Sequence, residues 1–144
     1  MDFHIQPVTH FEQNCTLLWC EETRRAAIVD PGGEPQIILD LLRRLDLTPE
    51  SILLTHGHVD HVGAAGILAP RLDVPILGPH RDDAFLVQAL PAQCQQFGFP
   101  AVPDFEPDRW LEDGDRITVG RQVLSVIHCP GHTPGHLVFF DAPG

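Results

Sequence analysis

Ser51-Ile-Leu-Leu-Thr-His-Gly-His-Val-Asp-His-Val-Gly-Ala-Ala-Gly66 is the stretch of this 144-residue sequence that decides its fold. An apolar run at 52–54 is followed by four residues of types that bind metal ions: His56, His58, Asp60 and His61. Small residues then occupy 63–66. The pattern predicts a buried strand, a tight loop and the first turn of a helix. Because open α/β sheets place their sites at the carboxyl ends of strands, we expect a functional site in this loop.

The spacing of these side chains predicts metal binding rather than an ordinary polar loop. Histidines two positions apart project to the same side of an extended segment, and Gly57 permits a bend between them, so His56 and His58 can converge on one ion. Asp60 and His61 are adjacent and point in different directions, so they more easily serve a second ion on the other side of the loop. Imidazole suits zinc and iron, and a carboxylate adds a hard oxygen ligand.

Apolar periodicity elsewhere predicts an alternation of strands and helices. Strands are predicted at 3–8, 15–20, 26–29, 51–54, 74–77, 116–119, 122–128 and 137–140. Helices are predicted at 35–45, 62–71 and 81–90, the first with an apolar face formed by Ile37, Ile38, Leu41, Leu42 and Leu45. The segment 91–108, rich in Pro, Gln and Phe, is expected to be an irregular excursion over the surface. The order β-β-β-α-β-α-β predicts an α/β sandwich.

Composition and charge narrow the class of protein. The length makes one domain the default, and 43% hydrophobic residues suit a globular core. A formal net charge of −11 argues against nucleic acid or an anionic membrane as a partner. The sequence shows no secretory signal or membrane-spanning run, so the cytoplasm is the expected compartment. The four cysteines lack C-x-x-C spacing and are expected to be free thiols, with Cys129 a small buried one.

The loop sequence Thr55-His-Gly-His-Val-Asp-His61 resembles the T-H-x-H-x-D-H signature of the metallo-β-lactamase superfamily. Stretches at 13–15, 29–33 and 129–136 occur in the family's order and are similar to its glyoxalase II branch, the hydroxyacylglutathione hydrolases, in their short bacterial form. The resemblance implies an αββα sandwich, of which this chain supplies the N-terminal half and the start of the second half. It predicts one metallo-β-lactamase-like domain at 1–144, incomplete at the C-terminus, with an apolar sheet face left uncovered.

The same resemblance implies a set of site residues. His132, in the loop after the strand at 122–128, completes a first metal site with His56 and His58. The family's metal-bridging aspartate and its last histidine have no counterpart in this sequence. Asp60 and His61 therefore remain for a second metal, and Asp60 is also the predicted catalytic residue. Zn²⁺ is the expected cofactor, as one or two ions, with iron and manganese as alternatives.

Several residues near these loops leave their roles open. Asp30, in the turn at 30–33, either orients a ligand histidine through a hydrogen bond or only holds the turn. His136 is expected to be structural or to support a ligand. His80 is expected at the surface, and the spacing of the remaining histidines indicates no function.

These expectations lead to a metal-dependent hydrolase as the predicted function. The resemblance implies that a metal-bound hydroxide cleaves a thioester such as S-lactoylglutathione, so the partner is a small-molecule thioester rather than nucleic acid or membrane. Two alternatives stay open. One is another enzyme on the same scaffold, such as an iron-dependent persulfide dioxygenase or a lactamase. The other is a truncated, catalytically inactive chain that binds metal. The sequence does not specify the oligomeric state.

Overall fold

The computed structural model describes residues 1–141. Its strands are β1 (Asp2–Val8), β2 (Gln13–Trp19), β3 (Arg25–Val29), β4 (Thr48–Leu53), β5 (Ile76–Leu77), β6 (Arg116–Val119), β7 (Gln122–His128) and β8 (Leu137–Asp141). Its α-helices are α1 (Pro35–Arg44), α2 (Val59–Val62), α3 (Ala65–Leu72), α4 (Ala84–Gln88) and α5 (Leu90–Phe97), and a 3₁₀ helix (Arg81–Asp83) directly precedes α4. Each predicted strand is present, with ends displaced by at most three residues.

The first sheet has the strand order β1-β2-β3-β4-β5. Strands β1, β2 and β3 pair antiparallel, whereas β3 pairs with β4 and β4 with β5 in parallel. Helix α1 connects β3 to β4, and α2 and α3 connect β4 to β5. Parallel neighbours end at the same edge of a sheet, so the turn after β3 lies beside the histidine-rich loop after β4.

Side chains of the first sheet alternate between two hydrophobic cores. Ile52 and Leu54 pack in the core shared with the helices, whereas Leu53 between them packs in the core shared with the second sheet. The second sheet is antiparallel in the order β6-β7-β8, and Leu124 and Val126 are its buried contribution from β7. Helices, first sheet and second sheet thus form three layers, which confirms the predicted α/β fold class.

The outer face of the second sheet is apolar and exposed. Its exposed fractions are 38% to 49% for four side chains: Val123, Ile127, Val138 and Phe140. An uncovered apolar face of this kind is what the sequence predicts for the first half of an αββα sandwich. The domain boundary at 1–144 stays a prediction, and 142–144 lie outside the described residues. Within 1–141, none of the helices has the length and apolar character needed to cross a bilayer.

The helical segments differ from the predictions in three places. The segment predicted as an irregular excursion begins with a helix, α5, because Pro91 lies in its first turn, where a missing N–H is tolerated, and Leu90 and Cys94 face the core. The helix predicted at 62–71 corresponds to α3, and the short α2 precedes it. The helix predicted at 81–90 is divided into the 3₁₀ helix and α4. The composition of 91–108 therefore did not predict α5, because this helix depends on the burial of Leu90 and Cys94.

Two predictions of burial were wrong. Ile37 is 38% exposed, so the buried face of α1 is narrower than predicted and consists of Ile38, Leu41 and Leu42. Cys129 is exposed rather than buried. All four cysteines are free, as expected for a chain without paired spacing.

Candidate metal centre

Two loops meet at one edge of the sheets. The first loop, at 55–58, follows β4 and leads into α2, and the second, at 129–136, connects β7 to β8. The N–H of Leu137, at the start of β8, donates to the carbonyl oxygen of Thr55 at 2.8 Å. This hydrogen bond joins the two sheets where the loops begin and end. The fold therefore brings the histidines of both predicted loops to one place.

Three of the predicted ligands lie together. The nearest ring nitrogens of His56, His58 and His132 all lie within 4.8 Å of one another, and their ring centroids are 5.0 to 5.1 Å apart. His56 is 3% exposed, and nothing among the described residues hydrogen-bonds its buried Nε2. A buried nitrogen without a partner costs about 1–3 kcal/mol. A metal ion would satisfy this atom, so the donor set fits a metal of the kind that imidazole binds.

Hydrogen bonds on the opposite side of His56 fix its tautomer. The hydroxyl of Thr55 donates to Oδ2 of Asp30 at 2.6 Å. The Thr55 oxygen is therefore free to accept the N–H of His56 Nδ1, which lies 2.9 Å away. With its proton on Nδ1, His56 carries its lone pair on Nε2, the atom that lies near the other two imidazoles.

Burial favours the neutral form of two of these imidazoles, those of His56 and His58. Burial is the largest cause that lowers the pKa of His56 to about 2, and the neighbouring imidazoles of His61, His58, His136 and His132 lower it further. Burial also lowers the pKa of His58, with His132 as the next cause. Because a metal ion binds the neutral form of imidazole, these side chains need not lose a proton before binding at neutral pH.

Asp60 and His61, the pair predicted to serve a second ion, lie side by side. Oδ2 of Asp60 is 3.7 Å from Nε2 of His61, and the His61 ring centroid is 3.9 Å from that of His56. Within 1–141, Asp60 does not join any group of three or more such ligand atoms. The pair supplies two ligands, which is fewer than the three protein ligands that catalytic zinc sites use.

Asp30 makes the orienting contact that the sequence offered as one of two alternatives. Its Oδ1 accepts the N–H of Thr55 at 2.8 Å, and its Oδ2 accepts both the Thr55 hydroxyl and the N–H of His61 Nδ1, the latter at 2.9 Å. The carboxylate thus orients Thr55 and His61, and one of its oxygens also lies within 4.8 Å of ring nitrogens of His56 and His61. Gly32 allows this turn to touch the loop, because a Cβ there would lie 1.6 Å from the carbonyl oxygen of Asp60.

His136 lies nearer to the centre than a purely structural residue would. Its ring centroid is 5.0 Å from that of His56, the same separation as for His132. Burial lowers the pKa of His136, and the neighbouring His132 adds to the effect. His136 therefore borders the three-histidine group without belonging to it.

Another group of ligand-type side chains, His80, Asp82 and His128, also has ligand atoms within 4.8 Å of one another, and hydrogen bonds occupy part of this group. Nδ1 of His80 accepts the N–H of Asp82 at 3.0 Å, and Nε2 of His128 pairs with the carbonyl oxygen of Pro134 at 2.8 Å. The two rings stack with centroids 4.0 Å apart and planes 8° apart. His80, predicted at the surface, is half-buried by this stacking.

A cleft of about 360 Å³ opens beside the three-histidine group. It is lined by Phe11, His58, Val59, Asp60, Phe97 and His132. The rings of Phe11 and Phe97 meet edge to face with centroids 6.3 Å apart, and both remain partly exposed. The cleft therefore places an apolar wall next to candidate metal ligands, an arrangement typical of small-molecule sites.

Two buried polar side chains hold the histidine loop, and sequence reasoning missed both. The amide of Gln93, on α5, accepts the N–H of Val59 at 2.9 Å and donates to the carbonyl oxygen of Gly57 at 3.1 Å. The carboxylate of Asp83 accepts the N–H of Gly57 at 3.0 Å. No spacing pattern marks either residue, because Gln93 lies in a glutamine-rich segment and Asp83 follows the exposed Asp82.

Comparison with known proteins identifies a family that the chain matches over most of its length. Residues 8–144 match the metallo-β-lactamase superfamily. The chain is 45% identical over 142 residues to the hydroxyacylglutathione hydrolase GloC of Haemophilus influenzae, covering 98% of this chain and 66% of that protein. It is 32% identical over 139 residues to a hydroxyacylglutathione hydrolase of Bdellovibrio bacteriovorus, covering 96% and 48%. The chain thus spans about two thirds and about half of the lengths of these relatives.

Solved structures agree with the sequence match. The B3 metallo-β-lactamase BLEG-1 has a TM-score of 0.85 and 30% identity, covering 97% of this chain and 67% of that one. The protein TTHA1623 in a di-iron-bound form has a TM-score of 0.83 and 36% identity, covering 96% and 66%. Family match, fold and histidine loop lead to one conclusion: the chain belongs to the metallo-β-lactamase superfamily.

Proposed function

We propose that the chain is the metal-binding part of a hydrolase that cleaves thioesters of glutathione, with S-lactoylglutathione as the first candidate substrate. The observation that carries this proposal is the buried Nε2 of His56, which no group at 1–141 hydrogen-bonds, beside His58 and His132. The relative from Haemophilus influenzae, named a hydroxyacylglutathione hydrolase, supports the choice of substrate class.

We propose the following division of roles, which the proximity of His56, His58 and His132 supports for the first ion. His56, His58 and His132 hold the first ion, and Asp60 and His61 contribute to a second. Zinc is the proposed metal, and the di-iron form of TTHA1623 makes iron the alternative to test. When bound, such an ion supplies Lewis-acid activation of water and of the substrate carbonyl group.

The chain's own residues prepare the site for that chemistry. Thr55 holds the proton of His56 on Nδ1, and Asp30 holds that of His61 on Nδ1, so both Nε2 atoms keep lone pairs for a metal. Asp60 lines the cleft, and we propose that it orients the attacking water there. Water adds to the thioester carbonyl, the carbon–sulfur bond breaks, and a carboxylic acid and a thiol leave.

The cleft supports a small-molecule substrate. Phe11 and Phe97 offer apolar contact for the acyl group beside His58 and His132. The net charge of −11 disfavours nucleic acid and anionic membranes as alternatives. The proposed partner is therefore a free thioester.

The test compares metal content with catalytic activity. Metal content is measured on the purified protein by mass spectrometry. Hydrolysis of S-lactoylglutathione is then followed before chelation, after chelation and after zinc or iron is restored, with a β-lactam and a persulfide as competing substrates. We expect thioester hydrolysis that is lost on chelation and returns with the metal. His56→Ala should lower metal content and kcat/KM by at least about a hundredfold.

His4→Gln is the matched control, because His4 lies on β1, away from the two loops. It should keep both metal content and activity. Undiminished thioester hydrolysis by the metal-stripped protein would refute the proposal. Oxygen consumption with the persulfide, or preferential β-lactam cleavage, would replace the thioester with another substrate on the same metal centre.

A further inference from the structure

Asp83, at the end of the 3₁₀ helix, is a fully buried carboxylate that the proposed reaction does not use. Its exposed fraction is 0%. Burying a charged group is costly unless hydrogen bonds replace its water. The partners that replace water here are three neutral donors, and they come from the two loops that carry the candidate metal ligands.

The three hydrogen bonds connect those loops through one side chain. Oδ2 of Asp83 accepts the N–H of Gly57 at 3.0 Å and the hydroxyl of Thr133 at 2.7 Å. Oδ1 accepts the N–H of Gly135 at 2.7 Å. Gly57 lies between His56 and His58, whereas Thr133 directly follows His132. The carboxylate therefore bridges the loop of the first two imidazoles and the loop of the third.

Two glycines allow this close approach. A Cβ on Gly135 would lie 2.7 Å from the backbone nitrogen of Asp83 and 2.8 Å from its Oδ1. A Cβ on Gly57 would lie 2.8 Å from Cβ of Leu86, in the helix that follows Asp83. The absence of a side chain at Gly57 and Gly135 thus lets both loops approach Asp83 closely. Because the acceptor is charged, each hydrogen bond is stronger than one to a neutral acceptor.

We propose that Asp83 is a positioning residue: it sets the separation of the two loops so that His132 meets His56 and His58 at one ion. This inference depends on the proposed function, because it assumes that the three imidazoles bind a metal. Asp83 acts on the metal only through the loop backbones and the Thr133 hydroxyl. Its removal should therefore weaken metal binding, and not merely the fold.

Three variants of the full-length protein test the proposal. Asp83→Asn replaces one acceptor oxygen with an NH₂ group that faces donors. Thr133→Val removes one of the three bonds at nearly constant volume, and Thr133→Ser keeps the hydroxyl. Asp82→Asn is the matched control, because Asp82 is the preceding residue and its side chain is 57% exposed.

The measurements are the Kd for Zn²⁺ by competition with a chromophoric chelator, the visible absorption spectrum of the Co²⁺-substituted protein, and the Tm of the metal-free protein. We expect Asp83→Asn to raise the Kd about 10- to 100-fold, the range typical for residues that orient metal ligands. Thr133→Val should raise it by about tenfold, with an altered Co²⁺ spectrum. Thr133→Ser and Asp82→Asn should match the wild type.

The possible outcomes distinguish a failure of the positioning role of Asp83 from a failure of the proposed function. A wild-type protein that binds no Zn²⁺ overturns the proposed function, and this inference with it. Wild-type Kd values and Co²⁺ spectra in folded Asp83→Asn and Thr133→Val overturn the positioning role alone. If Asp83→Asn does not fold, Thr133→Val decides: a lower Tm with an unchanged Kd assigns the carboxylate to the fold and refutes the proposal.

Discussion

Acid should destabilise the metal-free protein through His56. Burial lowers the pKa of His56 to about 2, whereas an imidazole in an unfolded chain has a pKa near 6.5. Between these two values the unfolded state binds a proton at this residue and the folded state does not. The stability that His56 contributes is therefore fully present above about pH 6.5 and is lost as the pH falls.

The size of the effect follows from the same two pKa values. Each pH unit below about 6.5 lowers the free energy of unfolding by about 1.4 kcal/mol, so the change from pH 7 to pH 5 amounts to about 2 kcal/mol for His56 alone. For a protein of this length that corresponds to a fall in Tm of roughly 4–8 °C. The structural cause is that His56 is 3% exposed, with an Nε2 that nothing hydrogen-bonds among the described residues.

The assay is urea unfolding at pH 7 and pH 5 in the presence of a chelator. Glutamine does not titrate, so His56→Gln should lose about 2 kcal/mol less than the wild type between the two pH values. His4→Gln, which leaves His56 in place, should show the wild-type difference. The reasoning is refuted if the wild type and His56→Gln lose the same free energy of unfolding.

Two further predictions concern the turn after β3. Asp30→Asn should raise the Kd for Zn²⁺ about 10- to 100-fold, because an amide cannot accept all three hydrogen bonds that orient Thr55 and His61. Asp46→Asn is its control: Asp46 has the same positive φ but is exposed, so an unchanged Kd is expected there, and equal effects of both variants would contradict the orienting role. Gly32→Ala should lower the free energy of unfolding by about 1–3 kcal/mol or more, since its Cβ would overlap the carbonyl oxygen of Asp60. Gly131→Ala, with open space around its Cβ, should change stability by less than about 0.5 kcal/mol, and equal losses for the two glycines in chemical denaturation would contradict this account.

Most of the fold could be predicted from local patterns in the sequence. The apolar run before the histidine loop predicted a buried strand at 51–54, and β4 is present there, beginning three residues earlier and ending one residue earlier. Period-two alternation predicted the strand at 3–8, and apolar runs bounded by turn residues predicted the remaining strands. The predictions failed where burial depended on distant segments: α5 is stabilised by packing against the core, and Cys129 is left exposed by its loop.

Residue types and spacing by themselves determined that this protein carries a strand, loop and helix with four ligand-type side chains, because spacing within six residues is a local property. Only the tertiary structure decided which partners those side chains have. It brought His136 beside His56, gave Asp30 its contact with His61, and selected Asp83 over its neighbour Asp82 as the buried carboxylate. These choices depend on contacts between segments far apart in the chain, and nothing in the local order of residues distinguishes one aspartate from the next.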